Sequence, residues 1–245
     1  MFSFFKSKPH LKDLIPSNYV DIHSHLLPGI DDGSRNINDT VFLITKMLEL
    51  GFEQFTTTPH IIKNVWDNNA TSIQNLQNKT IVDLSTQNIN CPFKAAAEYM
   101  MDIEFIDLFK TEKLLTLKNN YVLVEMSYLN PPIQLYEIIF DLQIAGYQPV
   151  LAHPERYSFY LNNFHEYYKL KKAGCYFQLN LLSTVGYYGL DVAKTADKLL
   201  EKGLIDFVGS DIHHENHISS FGNKLCIKHL NELNKAIEKN QFFRI

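Results

Sequence analysis

Histidine and acidic residues recur along this chain at spacings that could hold metal ions. His23, His25 and Asp32 lie in one stretch, Asp21-Ile22-His23-Ser24-His25 followed by Asp31-Asp32-Gly33. His60 ends Thr58-Pro59-His60, Glu98 follows Ala96-Ala97, and Glu125 follows Val124. His153 opens His153-Pro154-Glu155-Arg156, and Asp211 and His213 belong to Ser210-Asp211-Ile212-His213. In extended chain, residues i and i+2 share a face, so both members of a His-x-His or Asp-x-His can reach one ion. A lone His-x-His is a weak signal; five histidines and four carboxylates at corresponding places are a strong one. Four carboxylates drawn together without a cation would repel and raise one another's pKa. Mixed imidazole and carboxylate donors suit zinc, manganese or iron better than thiolate-rich structural zinc sites. Nine donors exceed the shell of one ion, so two or three are expected.

The elements that must position these residues follow from periodicity. Seven β-rich runs read as strands: 19–22, 54–58, 92–97, 121–126, 148–152, 175–179 and 205–209. Helical apolar spacing covers 38–50, 71–88, 103–115, 133–145, 163–173, 191–202 and 223–240, and Gly51, Gly146, Gly174 and Gly203 suit left-handed C-caps. Alternating strands and helices predict a parallel sheet with helical crossovers, and seven units predict one closed or nearly closed α/β barrel. An open doubly wound sheet is the alternative. In barrels the active site is built at the C-terminal ends of the strands, where six of these seven strands present His, Asp or Glu. Residues 1–18 read as an irregular leader and 19–245 as a single domain.

Plainer readings compete at several positions. Glu98 and Glu125 could cap or pair at a barrel rim, and one of Asp31 and Asp32 could orient a ligand or cap the helix after Asn36. His10, His165 and His229 read as solvated, whereas His214 and His217 follow the last motif as loop residues beside the site. Asn180 and the loop 183–189 either line the mouth or form a surface turn. The stripe Val41, Ile44 and Leu48 reads as core.

Composition narrows the chemistry. The 245 residues carry 23 Lys+Arg against 27 Asp+Glu, a formal net charge of -4, with no basic stripe of the kind that nucleic acid requires. Cys91, Cys175 and Cys226 are odd in number and far apart, which favours a reducing, cytoplasmic setting over a disulfide framework. A cysteine-dependent phosphatase needs an Arg six residues after its thiolate; here those positions are Ala97, Leu181 and Glu232. Phe2, Phe4 and Phe5 are too few for a signal peptide, and no run approaches the ~18 apolar residues of a membrane span.

The motifs D-I-H-S-H-L-L-P-G-I-D-D-G, T-T-P-H, A-A-E, V-E-M, A-H-P-E-R and S-D-I-H resemble, in this order, those of the polymerase and histidinol phosphatase (PHP) superfamily. The first and fifth are most similar to the manganese-dependent protein tyrosine phosphatases of bacterial capsule and exopolysaccharide gene clusters. The resemblance runs from about Tyr19 to the C-terminus and implies a distorted (β/α)7 barrel. It implies that His23, His25, Asp32, His60, Glu98, Glu125, His153, Asp211 and His213 hold a trinuclear site of divalent ions. Manganese is the first expectation; iron, zinc or magnesium are alternatives. It also implies that Arg156 binds the substrate phosphate, a task suited to a planar fork; a salt bridge with Glu155 is its plain alternative.

Two departures stand out. The basic residue that many relatives carry just after Asp-x-His is absent, the next lysine being Lys224, which leaves His214 and His217 as candidate substitutes in phosphate binding. After His60 come Ile61 and Ile62, with Lys63 third. The implied reaction is hydrolysis of a phosphomonoester by a water that clustered cations activate, with Asp211 or a neighbouring His such as His213 able to donate a proton. The implied substrate is a phosphotyrosine protein, foremost a membrane-associated tyrosine autokinase of polysaccharide synthesis. A histidinol-phosphate-type phosphatase and a nonphosphatase module, nuclease-like or regulatory, are the alternatives. Four ligand carboxylates contribute -4 and three divalent ions +6, so an acidic protein would present a cationic mouth.

Overall fold

A computed structural model describes residues 8–161 and 163–245, and the phenylalanines at positions 2, 4 and 5 lie outside them. The chain runs β1 (Tyr19–Asp21), α1 (Ile37–Glu49), β2 (Phe52–Thr57), β3 (His60–Ile61), α2 (Ala70–Thr86), β4 (Phe93–Ala95), β5 (Glu98–Met100) and α3 (Ile103–Thr111). It continues with β6 (Tyr121–Glu125), α4 (Leu135–Ile144), β7 (Gln148–Ala152), α5 (His165–Lys172), β8 (Tyr176–Asn180), α6 (Leu190–Glu201), β9 (Phe207–Gly209), α7 (Glu215–Ser220) and α8 (Leu230–Lys239). Local chemistry sets the helix starts. Asn36 caps α1 by accepting from the Asn38 and Asp39 amides, Asn69 and Ser72 form a reciprocal box on α2, and Asp102 accepts from the Phe105 amide on α3. At the far end of α1, Gly51 has a φ of +104°, and an added Cβ would lie 2.8 Å from the Pro16 carbonyl oxygen.

Among the described residues every strand pair within the sheets is parallel, as the alternation predicts, but the expected ring of seven strands becomes nine strands in two sheets. One sheet has the order β1-β2-β4 and the other β3-β5-β6-β7-β8-β9. No closed sheet forms among the described residues; a single parallel bridge, Ser24 to Ile212, links the strand ends beyond β1 and β9. The extra strands, β3 and β5, begin just beyond the predicted runs 54–58 and 92–97. Pro59, which has no N–H, separates β2 from β3, and Ala96-Ala97 separates β4 from β5. Glu98 therefore begins a short strand of its own instead of ending the third predicted one.

Strand faces sort into two apolar layers by their period of two. Val20, Leu123, Val150, Ala152 and Phe207 contact one another and Phe243 in a small cluster drawn from both sheets. Their neighbours Tyr19, Val122, Val124, Leu151 and Val208 face the large cluster beneath the helices. Burial on both faces explains why these strands read as continuous apolar runs.

Three further expectations need correction. The 8–18 segment is not irregular: Leu11–Leu14 forms a 3-10 turn, Leu11 is fully buried, and amides 11 and 12 donate to the carbonyls of Asn223 and Phe221. In α1 the buried residues are Thr40, Leu43, Ile44 and Met47, so the apolar stripe is turned from the predicted one and Leu48 is exposed. His229 is not simply solvated. It bonds Asp197 at 2.9 Å, and that carboxylate also accepts from the amides that begin α8.

Candidate metal centre

The two sheets meet at the ends of β1 and β9. The Asp211 amide donates to the His23 carbonyl, 2.7 Å, and the His25 amide donates to the Ile212 carbonyl, 2.9 Å. Buried Asp21 accepts from the Ser210 amide and hydroxyl, 3.0 and 2.7 Å; burial lifts its carboxyl to about 6, against the pull of those bonds. Backbone approach here is close: a Cβ on Gly209 would lie 2.6 Å from the His23 Cβ, and one on Gly33 would lie 2.1 Å from the His25 carbonyl oxygen. His153 and Asp211 take left-handed φ values of 35° and 50°, which L residues rarely adopt outside sites that need an aimed side chain.

These constraints bring all nine predicted residues together. They form four overlapping groups: His25, Asp32, His60 and His213; His23, Glu98 and His153; His23, His25 and Asp211; His60, Glu98 and Glu125. Within each group the donor atoms lie within 4.8 Å of one another. Register explains part of this, because His60 and Glu98 are partners on adjacent strands, as are Met100 and Glu125. Glu98 is the hub. Its Oε2 lies 3.2 Å from His23 Nε2, 3.5 Å from His25 Nε2 and 3.3 Å from His60 Nδ1, and its Oε1 lies 3.1 Å from His153 Nε2.

The donor set fits divalent cations. His23 Nδ1 faces Gln178 Oε1 at 2.7 Å, and His25 Nδ1 faces Asp31 Oδ2 at 2.8 Å. Both partners only accept, so each Nδ1 carries a proton and each Nε2 is the nitrogen turned toward the cluster, open to an ion once its own proton is lost. Those two Nε2 atoms lie 3.4 Å apart, near enough to serve neighbouring ions. Likewise, His60 Nδ1 and Glu125 Oε1 are 2.9 Å apart, buried, and without a hydrogen-bond partner. Electrostatics agree. Burial opposes a charge on His23, but the Glu98 and Asp211 carboxylates override it and lift the imidazole to about 10. Burial and repulsion from Glu98 push Glu125 up. Protons thus take up, in the metal-free protein, a negative charge that cations would neutralise.

The pair Asp31 and Asp32 is resolved. Asp31 orients His25 and also accepts the Gly33 and His60 amides, 3.0 and 3.2 Å. Asp32 has its side chain 54% exposed, 3.5 Å from His60 Nε2 and 3.4 Å from His213 Nε2. Asn36, not either aspartate, caps α1. His213 donates from Nδ1 to the Asp211 carbonyl at 2.9 Å, which leaves its Nε2 facing Asp32.

A cavity of about 280 Å³ opens above this cluster. Arg156 lines it and bonds Asp211 Oδ2 at 2.8 Å rather than Glu155. Glu155 is buried and accepts from the Asn180 amide and the Ser183 hydroxyl, 3.0 and 2.6 Å. Asp211 Oδ2 also accepts from Asn180 Nδ2 at 2.7 Å, so the end of β8 reaches the mouth, and Tyr188 of the loop 183–189 lines the cavity. The Arg156 guanidinium lies between the rings of Tyr128 and Tyr188, 4.8 and 4.0 Å from their centres. Sequence reasoning missed Tyr128 and reached Tyr188 only as part of the loop 183–189, for aromatic residues in loops carry no spacing signal. His217 is buried, its Nδ1 accepts the His213 amide, and burial with the neighbouring His213 and His214 charges takes it down to about 3. His214 is exposed at the cavity edge with its ring 4.1 Å from that of His217. Lys63 instead pairs with Asp67 and lines a separate pocket. His165 is exposed at the start of α5.

Known proteins share this arrangement of chain. Residues 19–239 match the family model for capsular polysaccharide synthesis, CpsB/CapC. Tyrosine-protein phosphatase YwqE of Bacillus subtilis (strain 168) is 29% identical over 196 residues, covering 80% of this chain and 77% of that protein. Tyrosine-protein phosphatase CpsB of Streptococcus pneumoniae is 27% identical over 203 residues, covering 80% and 83%. A solved structure from work on B. subtilis YwqE and S. pneumoniae CpsB, described as unique metal-dependent tyrosine phosphatases, matches with a TM-score of 0.77 at 26% identity. It covers 92% of this chain and 88% of that one. The chain belongs to the CpsB/CapC family of capsular polysaccharide synthesis.

Proposed function

We propose that this protein is a metal-dependent phosphatase that hydrolyses phosphotyrosine on a polypeptide, foremost a tyrosine autokinase of capsule synthesis. The observation that carries the reading is the set of inward-facing donor atoms on His23, His25, His60 and Glu125, which lies beside a guanidinium stacked against two aromatic rings. The residues His23, His25, Asp32, His60, Glu98, Glu125, His153, Asp211 and His213 would hold two or three divalent ions, manganese foremost. When bound, such ions polarise phosphoryl oxygens and supply an activated water.

The chain's own groups do the rest. Arg156 would bind nonbridging phosphate oxygens, its plane fixed by Tyr128 and Tyr188 so that little side-chain freedom is lost on binding. Asp211 supports Arg156 from Oδ2. Burial alone would raise the Asp211 carboxyl, but His23, His25 and His213 hold it well below the usual carboxylate range. It therefore acts as an anion and not as the proton donor that sequence reasoning allowed. A phenolate leaving group, pKa ≈ 10, needs less proton donation than an alkoxide. His213 is committed to the Asp211 carbonyl through Nδ1, so its part is to offer Nε2 to an ion. His217 stays neutral at physiological pH and packs under the rim, while His214 is left to meet the substrate.

The test is hydrolysis of a phosphotyrosine peptide by protein treated with chelator and then reloaded with Mn²⁺. Activity should vanish and return, and Arg156→Ala should raise KM and lower kcat. A preference of about tenfold or more for histidinol phosphate over the peptide, ~1.4 kcal/mol in transition-state terms, would sink the reading.

A further inference from the structure

A second depression, about 660 Å³, lies between α1 and α7 and shares Asp32, His213 and His214 with the catalytic cavity. The two are therefore one recess with a deep end at Arg156 and a wide end at Phe42. At about 280 Å³ the deep end falls just short of the ~300–1,000 Å³ of pockets that enclose a drug-sized ligand, and the wide end falls within that range. A phosphorylated aromatic side chain suits the deep end, and the chain that bears it must leave through an open side.

The wide end is built for a peptide. Leu43 is buried beneath it, while Phe42, on the same turn of α1, is 38% exposed and lines the wide end but not the catalytic cavity. Asn38 on one wall and Asn216 on the other are exposed amides, each able to donate to and accept from a main chain. Arg35 is bound to Asp39 through Nε and Nη2, 2.7 and 3.3 Å, so its charge is largely answered within the wall. The remaining carboxylates of the lining, Asp32 and Glu215, are exposed and turn away further anions, so the groove favours an extended segment with an apolar side chain over an anionic small molecule.

Resting on the reading of the site as a phosphotyrosine phosphatase, we propose that this groove binds the polypeptide adjoining the phosphotyrosine. An apolar side chain of the substrate packs on Phe42, and main-chain amides meet Asn38 and Asn216. The groove contributes affinity for the protein substrate and none for a small aryl phosphate, which occupies only the deep end.

The experiment compares Mn²⁺-loaded wild type, Phe42→Ala and the double variant Asn38→Ala/Asn216→Ala. Each is assayed on a phosphotyrosine peptide with apolar residues on both sides and on p-nitrophenyl phosphate. KM for the peptide should rise by about tenfold with kcat little changed, the signature of lost uniform binding, while both constants for p-nitrophenyl phosphate stay as in wild type. An unchanged peptide KM in both variants overturns the proposal, as does an equal loss on both substrates, which would mark a fold effect. Loss of self-association in Phe42→Ala with unchanged peptide kinetics would assign the groove to a second copy of the chain and likewise overturn it. Wild type that cleaves p-nitrophenyl phosphate but no peptide would refute the phosphotyrosine reading itself, a distinct failure.

Discussion

The deep and rim parts of the metal centre are built on different principles. In the deep part, the side chains of His23, His25, His153, Glu98 and Asp211 are all within 3% of full burial. Gln178 and Asp31 fix the tautomers of His23 and His25 from behind. At the rim, His60 and His213 are 13% and 15% exposed and Asp32 is 54% exposed, with no comparable partner behind the Asp32 carboxylate. Low surrounding dielectric makes each charge in the deep part costly unless paired, so a cation there is held by both charge and geometry. Water competes at the rim. The deep part should hold its ions through dialysis, and the rim should exchange.

That contrast can be broken most severely at the hub. Glu98→Gln removes a charge shared among four histidines, and metal content and phosphatase activity should fall by more than the ~10–100-fold typical of changes behind a ligand. Elemental analysis together with turnover of p-nitrophenyl phosphate checks it, and retention of full metal content would contradict the assignment. Next in size, Asp31→Asn should weaken metal binding by ~10–100-fold without touching an ion, because His25 loses the acceptor that sets its tautomer. Competition with a chromophoric chelator measures this.

Proton competition should separate the two parts further. His23 in the metal-free protein is lifted from 6.5 to about 10, so it is protonated at neutral pH and must lose that proton to bind metal. Deep-site affinity should therefore rise with pH through about 10, which calorimetry in buffers of different ionisation enthalpy detects as proton release. The same shift has a stability sign. Protonated His23 is favoured by folding, so its contribution to the metal-free protein is complete below about 6.5 and lost as pH rises through about 10. Thermal melts of chelated protein should show the decline, and a flat profile would remove His23 as its source. The smallest effect belongs to the rim: Asp32→Asn should cost one readily exchanged equivalent of metal while the deep equivalents remain after dialysis.

Legibility in the sequence followed range. The alternation of strands and helices and the nine His, Asp and Glu positions were readable, because each depends on residue type and local spacing. The strand end before Pro59 was also local and readable, but the short strands that begin at His60 and Glu98 were not, since two or three residues carry no periodicity. Sheet closure was not readable, since it depends on pairing between strand edges remote in sequence.

What the sequence determined by itself was a supply of donors beside strand ends; the expected period-two pairing holds for His23 with His25, whereas Asp211, left-handed beyond β9, joins His23 and His25 while His213 joins Asp32 and His60. Tertiary structure alone decided the division of labour. Adjacent residues point apart, so only packing could assign Asp31 to orient His25 and Asp32 to face the opening. Contacts such as Gln178 to His23, 155 residues apart, and Arg156 to Asp211, 55 apart, have no local signature. Nor does the setting of Arg156 between Tyr128 and Tyr188, because ring and guanidinium meet only once three separate loops converge on one mouth.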